Sequence, residues 1–139
     1  MILGGCGNPP DYRKLSAEKL LPLAENGDAE AQFNLGSKYR IGFGVSKSYQ
    51  EAFKWYKRSA EQGFSDAQFT LGSMHHNGNG VEQNIVIAHM WFNIASANGH
   101  ESAKKKRDSL EKSKMTKEQI AEAWKLAREC VKNNYKDCS

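Results

Sequence analysis

From residue 28 onward the apolar positions fall into two alternating stripes. Ala31, Leu35 and Tyr39 recur four apart, the spacing that puts side chains on one face of an α-helix. Asp28 can cap the first turn, and Glu30 just inside it opposes the helix dipole, so a helix is expected from residue 28 to about residue 40. Gly42-Phe43-Gly44 supplies the positive backbone angles of a tight turn. A second stripe of Ala52, Trp55 with Tyr56, and Ser59 with Ala60 predicts a helix from near Ser48 to about Gln62. Gly63 sits where its C-terminal cap belongs. Small Ala31 and Gly36 let the two helices cross closely, and large Trp55 and Tyr56 fill the space around the crossing.

The pattern repeats. Shifted by 36, residues 31–66 fall on 67–102 with 12 identities, among them Gln32/Gln68, Phe33/Phe69, Gly36/Gly72 and Trp55/Trp91. One helix pair cannot bury both of its faces, so such pairs stack. Upstream, Ala24 and Gly27 align with Ala60 and Gly63, and Ser16 is a cap, so 16–26 read as the second helix of a repeat whose first helix is missing. Downstream, Ala103 starts a further first helix, but the Leu-Gly and Gly-x-Gly positions do not follow. Thr116, with Gln119 at the capping-box position, opens a long last helix whose expected inner stripe is Ile120, Ala123/Trp124, Ala127 and Val131.

The order of small and large residues resembles the Sel-one-like repeat family, relatives of tetratricopeptide repeats. It is carried by Ala31, Leu35, Gly36, Tyr39, Gly42, Gly44, Val45, Ala52, Trp55, Ala60 and Gly63, with His75 and Ser96 as departures in the second copy. Tetratricopeptide repeats proper have a period of about 34 and a terminal Pro, whereas this chain has 36 and no Pro there. The resemblance implies an all-α fold, a short right-handed α-solenoid of helix-turn-helix repeats. Its expected divisions are a flexible tail (1–14), repeats (15–114, as 15–30, 31–66, 67–102 and a degenerate 103–114) and a capping helix with C-terminal tail (115–139). It also implies a non-catalytic module binding a protein or peptide on a concave face built from the first helix of each pair. On the matching register Phe33, Ser37 and Arg40, then Phe69, Ser73 and His76, and finally Lys105 line that face. For Phe33 and Phe69 the competing role is packing between repeats.

Composition narrows the classes further. With 39% hydrophobic and 26% charged residues in 139, the chain is too apolar for a disordered protein. No apolar run approaches the roughly 20 residues of a membrane helix. Residues 1–100 carry nine basic and nine acidic side chains, so the whole +4 lies in 101–139. Lys104, Lys105, Lys106 and Arg107 stand in a row after a nearly uncharged second repeat, which suits a peptide with an apolar and an acidic portion. Neither zinc-finger spacing nor a basic-aromatic strand motif is present, so nucleic acid is not an expected partner.

Residues 1–14 hold two Gly pairs and Pro9-Pro10 and form a tail. Leu3-Gly4-Gly5-Cys6 resembles the bacterial lipobox, which makes Cys6 a lipidation site and the membrane a partner only through that anchor; a cytosolic leader is the alternative. Cys130 and Cys138 have seven residues between them. A tail that doubles back after Asn133-Asn134 would bring them within disulfide range, and a cysteine-rich exported branch of the family has similarly spaced pairs inside its repeats. Free thiols are the other possibility. The disulfide and the lipobox together point to the periplasm or outer membrane.

Other candidate chemistry is thin, and no cofactor or metal is expected. His75, His76, His89 and His100 fall on different faces and elements, with His75 at the Tyr position of the repeat as a packed residue and His76 exposed. Ser16-Ala-Glu-Lys19 and Ser109-Leu-Glu-Lys112 match S-x-x-K without S-D-N or K-T-G companions. They leave a cell-wall- or β-lactam-directed hydrolase as one alternative function, and a cytosolic adaptor with free thiols is the other. The Gly-x-Gly turns lack the G-K-[ST] of a phosphate loop.

Overall fold

A computed structural model describes residues 8–138. Cys6, the expected lipidation site, lies outside the described residues. A 3-10 turn (Tyr12–Lys14) leads into seven α-helices: α1 (Ala17–Glu25), α2 (Ala29–Ile41), α3 (Tyr49–Ala60), α4 (Ser65–Asn77), α5 (Ile85–Ala97), α6 (Glu101–Ser113) and α7 (Lys117–Lys132). Among the described residues there is no strand. The architecture is an all-α solenoid in which α2 pairs with α3, α4 pairs with α5, and α3 stacks on α4.

Local chemistry sets the helix starts. Ser16, Asp28, Ser48 and Asn84 each accept a first-turn backbone N–H, and Thr116 and Gln119 complete a capping box. Phe64 occupies the position of Asp28 in the second repeat and caps nothing with its side chain. Both pairs turn through a left-handed glycine, Gly42 (φ 83°) and Gly78 (φ 74°). The close crossing is direct. A Cβ on Gly36 would lie 3.0 Å from the Tyr56 ring, and one on Gly72 would lie 2.6 Å from Phe92.

Helix α5 departs from the repeat pattern in an informative way. Its residues 87–95 are all buried. On α3 the outward positions are Glu51, Lys54, Arg58 and Glu61, and on α5 their counterparts are Ile87, Met90, Ile94 and Ala97. The exchange of charged for apolar side chains prepares a second contact face, and α7 packs on it, with Ala127 and Cys130 joining the cluster of Ile87, Met90 and Ile94. Helices α6 and α7 each pack on α5 and meet through the side chains of Arg107, Glu111 and Trp124.

The stripe expected on α7 also needs correction. Its buried positions are Ala123, Ala127 and Cys130, while Trp124 is 37% and Val131 48% exposed. Cys130 continues the inward face of Ala123 and Ala127 and is bonded to buried Cys138, with Cα atoms 5.1 Å apart. Val131, one residue on, is thereby rotated by about 100° toward solvent. The returning tail uses left-handed backbone at Asn134, Tyr135 and Asp137, and Tyr135 packs beside Gly63 and bonds Asn98.

Candidate binding groove

Side by side, α2 and α4 leave a groove of about 270 Å3. Its walls include Phe33, Ser37 and Arg40 from α2 and Phe69, Thr70 and Ser73 from α4, with Tyr56 of α3 between them and Asn77 and Asn79 at one end. Five of the seven sequence-expected residues therefore come together. His76 is partly exposed and lines no part of the groove, and its carbonyl accepts from Gln83. Lys105 is exposed on α6, also outside it.

Phe33 packs between the repeats and also borders the groove. Its ring meets Tyr56 at 5.5 Å and Phe64 at 5.4 Å, yet it remains partly exposed in the groove. Phe69 likewise packs on Phe92 and stacks on His100 at 4.4 Å. Tyr56 is the polar centre. Its hydroxyl lies 3.0 Å from the Ser37 hydroxyl and accepts from Arg40 Nε at 3.2 Å. The counterpart of Tyr56 is Phe92, so the Ser73 hydroxyl has no such partner. Among the described residues it makes no side-chain hydrogen bond. Among the described residues Arg40 is the only charged side chain lining the groove, no carboxylate lines it, and Arg40 makes no ion pair.

A second polar cluster holds α5, α6 and α7 together. His89, fully buried at the position of Phe53 in the first repeat, meets Glu111 at 2.7 Å through Nε2. Glu111 also accepts from Trp124 Nε1 at 3.0 Å. Arg107 donates to Asn93 at 2.9 Å and lies over the Trp124 ring. Burial pushes the His89 imidazole below its ordinary range, and the Glu111 carboxylate works the other way. Burial acts against the Glu111 carboxylate too, but the bonds from His89 and Trp124 outweigh it and hold its pKa low. Nothing in the sequence pairs His89 with Glu111, because the contact joins residues 22 apart on two different helices.

The remaining candidates have structural work. His75 is buried, edge-on to Phe53 at 5.6 Å. His100 caps α6, accepting the Ala103 N–H at 3.1 Å, and faces Asp66 through Nε2. Among the described residues no group of three metal-ligating side chains assembles. In the first S-x-x-K segment the Ser16 hydroxyl accepts the backbone N–H of Lys19, which makes it a helix cap. Ser109 and Lys112 are exposed on α6.

Comparison with known proteins agrees with this architecture. The Sel1 repeat matches residues 29–64 and 65–100, two residues ahead of the phase assigned from the sequence. Of solved structures, c5321 is described as a protective antigen present in uropathogenic Escherichia coli strains displaying an SLR fold. It superimposes with a TM-score of 0.80 at 34% identity over 96% of this chain. The match spans only 29% of that longer protein. A Sel1 repeat protein from Oxalobacter formigenes gives a TM-score of 0.65 at 40% identity, covering 66% of this chain and 69% of that one. No curated protein matches. With two consecutive family matches on two stacked helix pairs of the same period, the chain belongs to the Sel1 repeat family.

Proposed function

We propose that this chain is a non-catalytic adaptor that holds a segment of a partner polypeptide in the groove along α2 and α4. Sel1 repeat proteins are generally protein-interaction modules. The observation that carries the reading is the groove itself. It has aromatic walls, an array of hydroxyl and amide groups, an unpaired Arg40 among the described residues, and no carboxylate. Such a lining offers apolar contact and hydrogen bonds to a peptide backbone, and its charge favours an acidic portion in the ligand.

The proposed location is the bacterial envelope. The Cys130–Cys138 bond supports an oxidising compartment. The description of the E. coli structural relative as a protective antigen supports it too, as does the lipobox-like Cys6. A photo-crosslinking amino acid at position 73, compared with one at position 118 on the exposed start of α7, tests the binding reading in cells. A discrete polypeptide adduct at 73 and none at 118 is the expected result. Equal labelling at both positions, or adducts at 118 alone, would contradict it.

A further inference from the structure

The first helix-to-helix turn carries two large apolar side chains in water. Ile41 is 61% and Phe43 65% exposed, more than any other large hydrophobic among the described residues. The second repeat is an internal control for whether the turn needs them. Its equivalents are Asn77 and Asn79, and the two turns have the same build. Gly42 and Phe43 donate to the Lys38 carbonyl just as Gly78 and Asn79 donate to Met74, and Ser48 donates to Tyr39 as Asn84 donates to His75. The glycines take the same left-handed angles. The turn thus folds equally well with asparagine, and nothing in its backbone calls for Ile or Phe. Large apolar groups held in water without a folding role mark a contact surface.

Ile41 and Phe43 wall a cavity of about 450 Å3 that also takes in Phe33, Ser37, Lys38 and Arg13. Phe33 and Ser37 belong to the α2/α4 groove as well, so the two cavities adjoin along α2. The uncompensated charge here is Lys38. It lies over the Phe43 ring at 4.6 Å and makes no ion pair among the described residues. Arg13 is ion-paired with Asp11 at 3.1 Å, and among the described residues no carboxylate lines either cavity.

We propose that this cavity is an anchor subsite of the groove, taking one bulky apolar side chain of a partner peptide whose flanking residues are Asp or Glu. It rests on the groove reading above and specifies what the bound segment must contain. A second copy of this chain fits poorly, since symmetric contact would bring Lys38 and Arg40 of two protomers together. A membrane surface fits less well than a peptide, because Ile41 and Phe43 line a concavity.

The test is selection of a phage-displayed random peptide library on the intact protein, with Ile41→Asn/Phe43→Asn as the comparison. That variant copies the second turn and so keeps a sequence this fold already accommodates. Selected peptides should share a Phe, Leu, Ile or Trp flanked by acidic residues. A synthetic version should bind the variant at least about tenfold more weakly, a difference of about 1.4 kcal/mol, and bind Lys38→Gln several-fold more weakly. If selected peptides bind the variant as well as the parent, the anchor is overturned and the groove reading stands. If no peptide is enriched on either protein, both fall. Flotation with phosphatidylcholine–phosphatidylglycerol vesicles that is lost in the variant, or a dimer in sedimentation that the variant dissolves, would assign the surface to lipid or to a second copy and overturn the peptide.

Discussion

Gln68 donates its side-chain amide to the carbonyl of Ala60 at 3.1 Å, inside the core between the two repeats. Thirty-six residues earlier Gln32 does the same to Ala24 at 3.0 Å. The Gln oxygens accept in turn from Asn98 and Gln62, both at 2.9 Å. Each buried amide therefore joins the end of one repeat's second helix to the start of the next first helix. Gln68→Leu leaves the Ala60 carbonyl and one Asn98 donor without these partners. Urea unfolding should show a loss of about 2–3 kcal/mol, against less than about 1 kcal/mol for Gln62→Ala at the exposed end of the same pattern. Equal effects would mean the buried Gln68–Ala60 bond contributes no more than the exposed Gln62–Gln32 bond.

The helix crossings should rank by clearance. Alanine in place of glycine within a helix gains about 1 kcal/mol in propensity, while overpacking costs about 1–3 kcal/mol. Gly72→Ala places a methyl 2.6 Å from Phe92, and Gly36→Ala places one 3.0 Å from Tyr56. Thermal denaturation should show Gly72→Ala net destabilising by about 1–2 kcal/mol and Gly36→Ala within about 1 kcal/mol of the parent. The reverse order would contradict the crossing geometry.

The repeating features of this molecule are legible in its sequence because they are local. The stripe of Ala31 and Leu35, the Asp28 cap, the Gly42 turn and the crossing at Gly36 and Tyr56 all follow from spacing within one repeat. Five groove residues were reachable by register alone, since α2 and α4 present the same positions side by side. What escaped depends on contacts beyond the period. Gln32 and Gln68 stood out only as identities until their partners in neighbouring helices were seen. The direction of α7 was written in Ile87, Met90 and Ile94 replacing Glu51, Lys54 and Arg58, a signal read only by comparing the outer faces of α3 and α5. Trp124 shares a helical face with Ile120 and Ala127 by spacing, but its indole N–H is used at the surface by Glu111.

Acid should weaken the fold through two buried imidazoles. Burial lowers the pKa of His75, helped by Lys57, and lowers that of His89 against the pull of Glu111, with Arg107 and Asp108 also facing it. With folded values below the unfolded value of about 6.5, the unfolded chain binds more protons in between. The stabilisation is therefore complete above about pH 6.5 and is lost as pH falls through the folded values. The melting temperature should drop between pH 7 and 5, and the drop should shrink in His75→Tyr/His89→Phe, which copies Tyr39 and Phe53 of the first repeat. An unchanged pH profile in that variant would assign the acid sensitivity to other groups.

The Cys130–Cys138 bond closes a loop with a sequence separation of 8. In the chain-entropy account so short a loop is worth about 2.5 kcal/mol. Reduction, or Cys130→Ser/Cys138→Ser, should lower stability by about 2–3 kcal/mol in urea unfolding. It should also release Tyr135 from Asn98 and Gly63, read as faster hydrogen exchange at residues 133–137. Full stability in reductant would mean that packing, and not the covalent link, holds the tail on α7.

The central claim is that the face formed by α2 and α4 receives a polypeptide segment. Backbone amide NMR of the labelled chain, titrated with a library-selected peptide, tests it residue by residue. The expected result is saturable shift changes at Phe33, Ser37, Arg40, Phe69 and Ser73, the groove positions of the two helices, with α6 and α7 unmoved. Changes confined to α5–α7, with those five amides silent, would contradict the account.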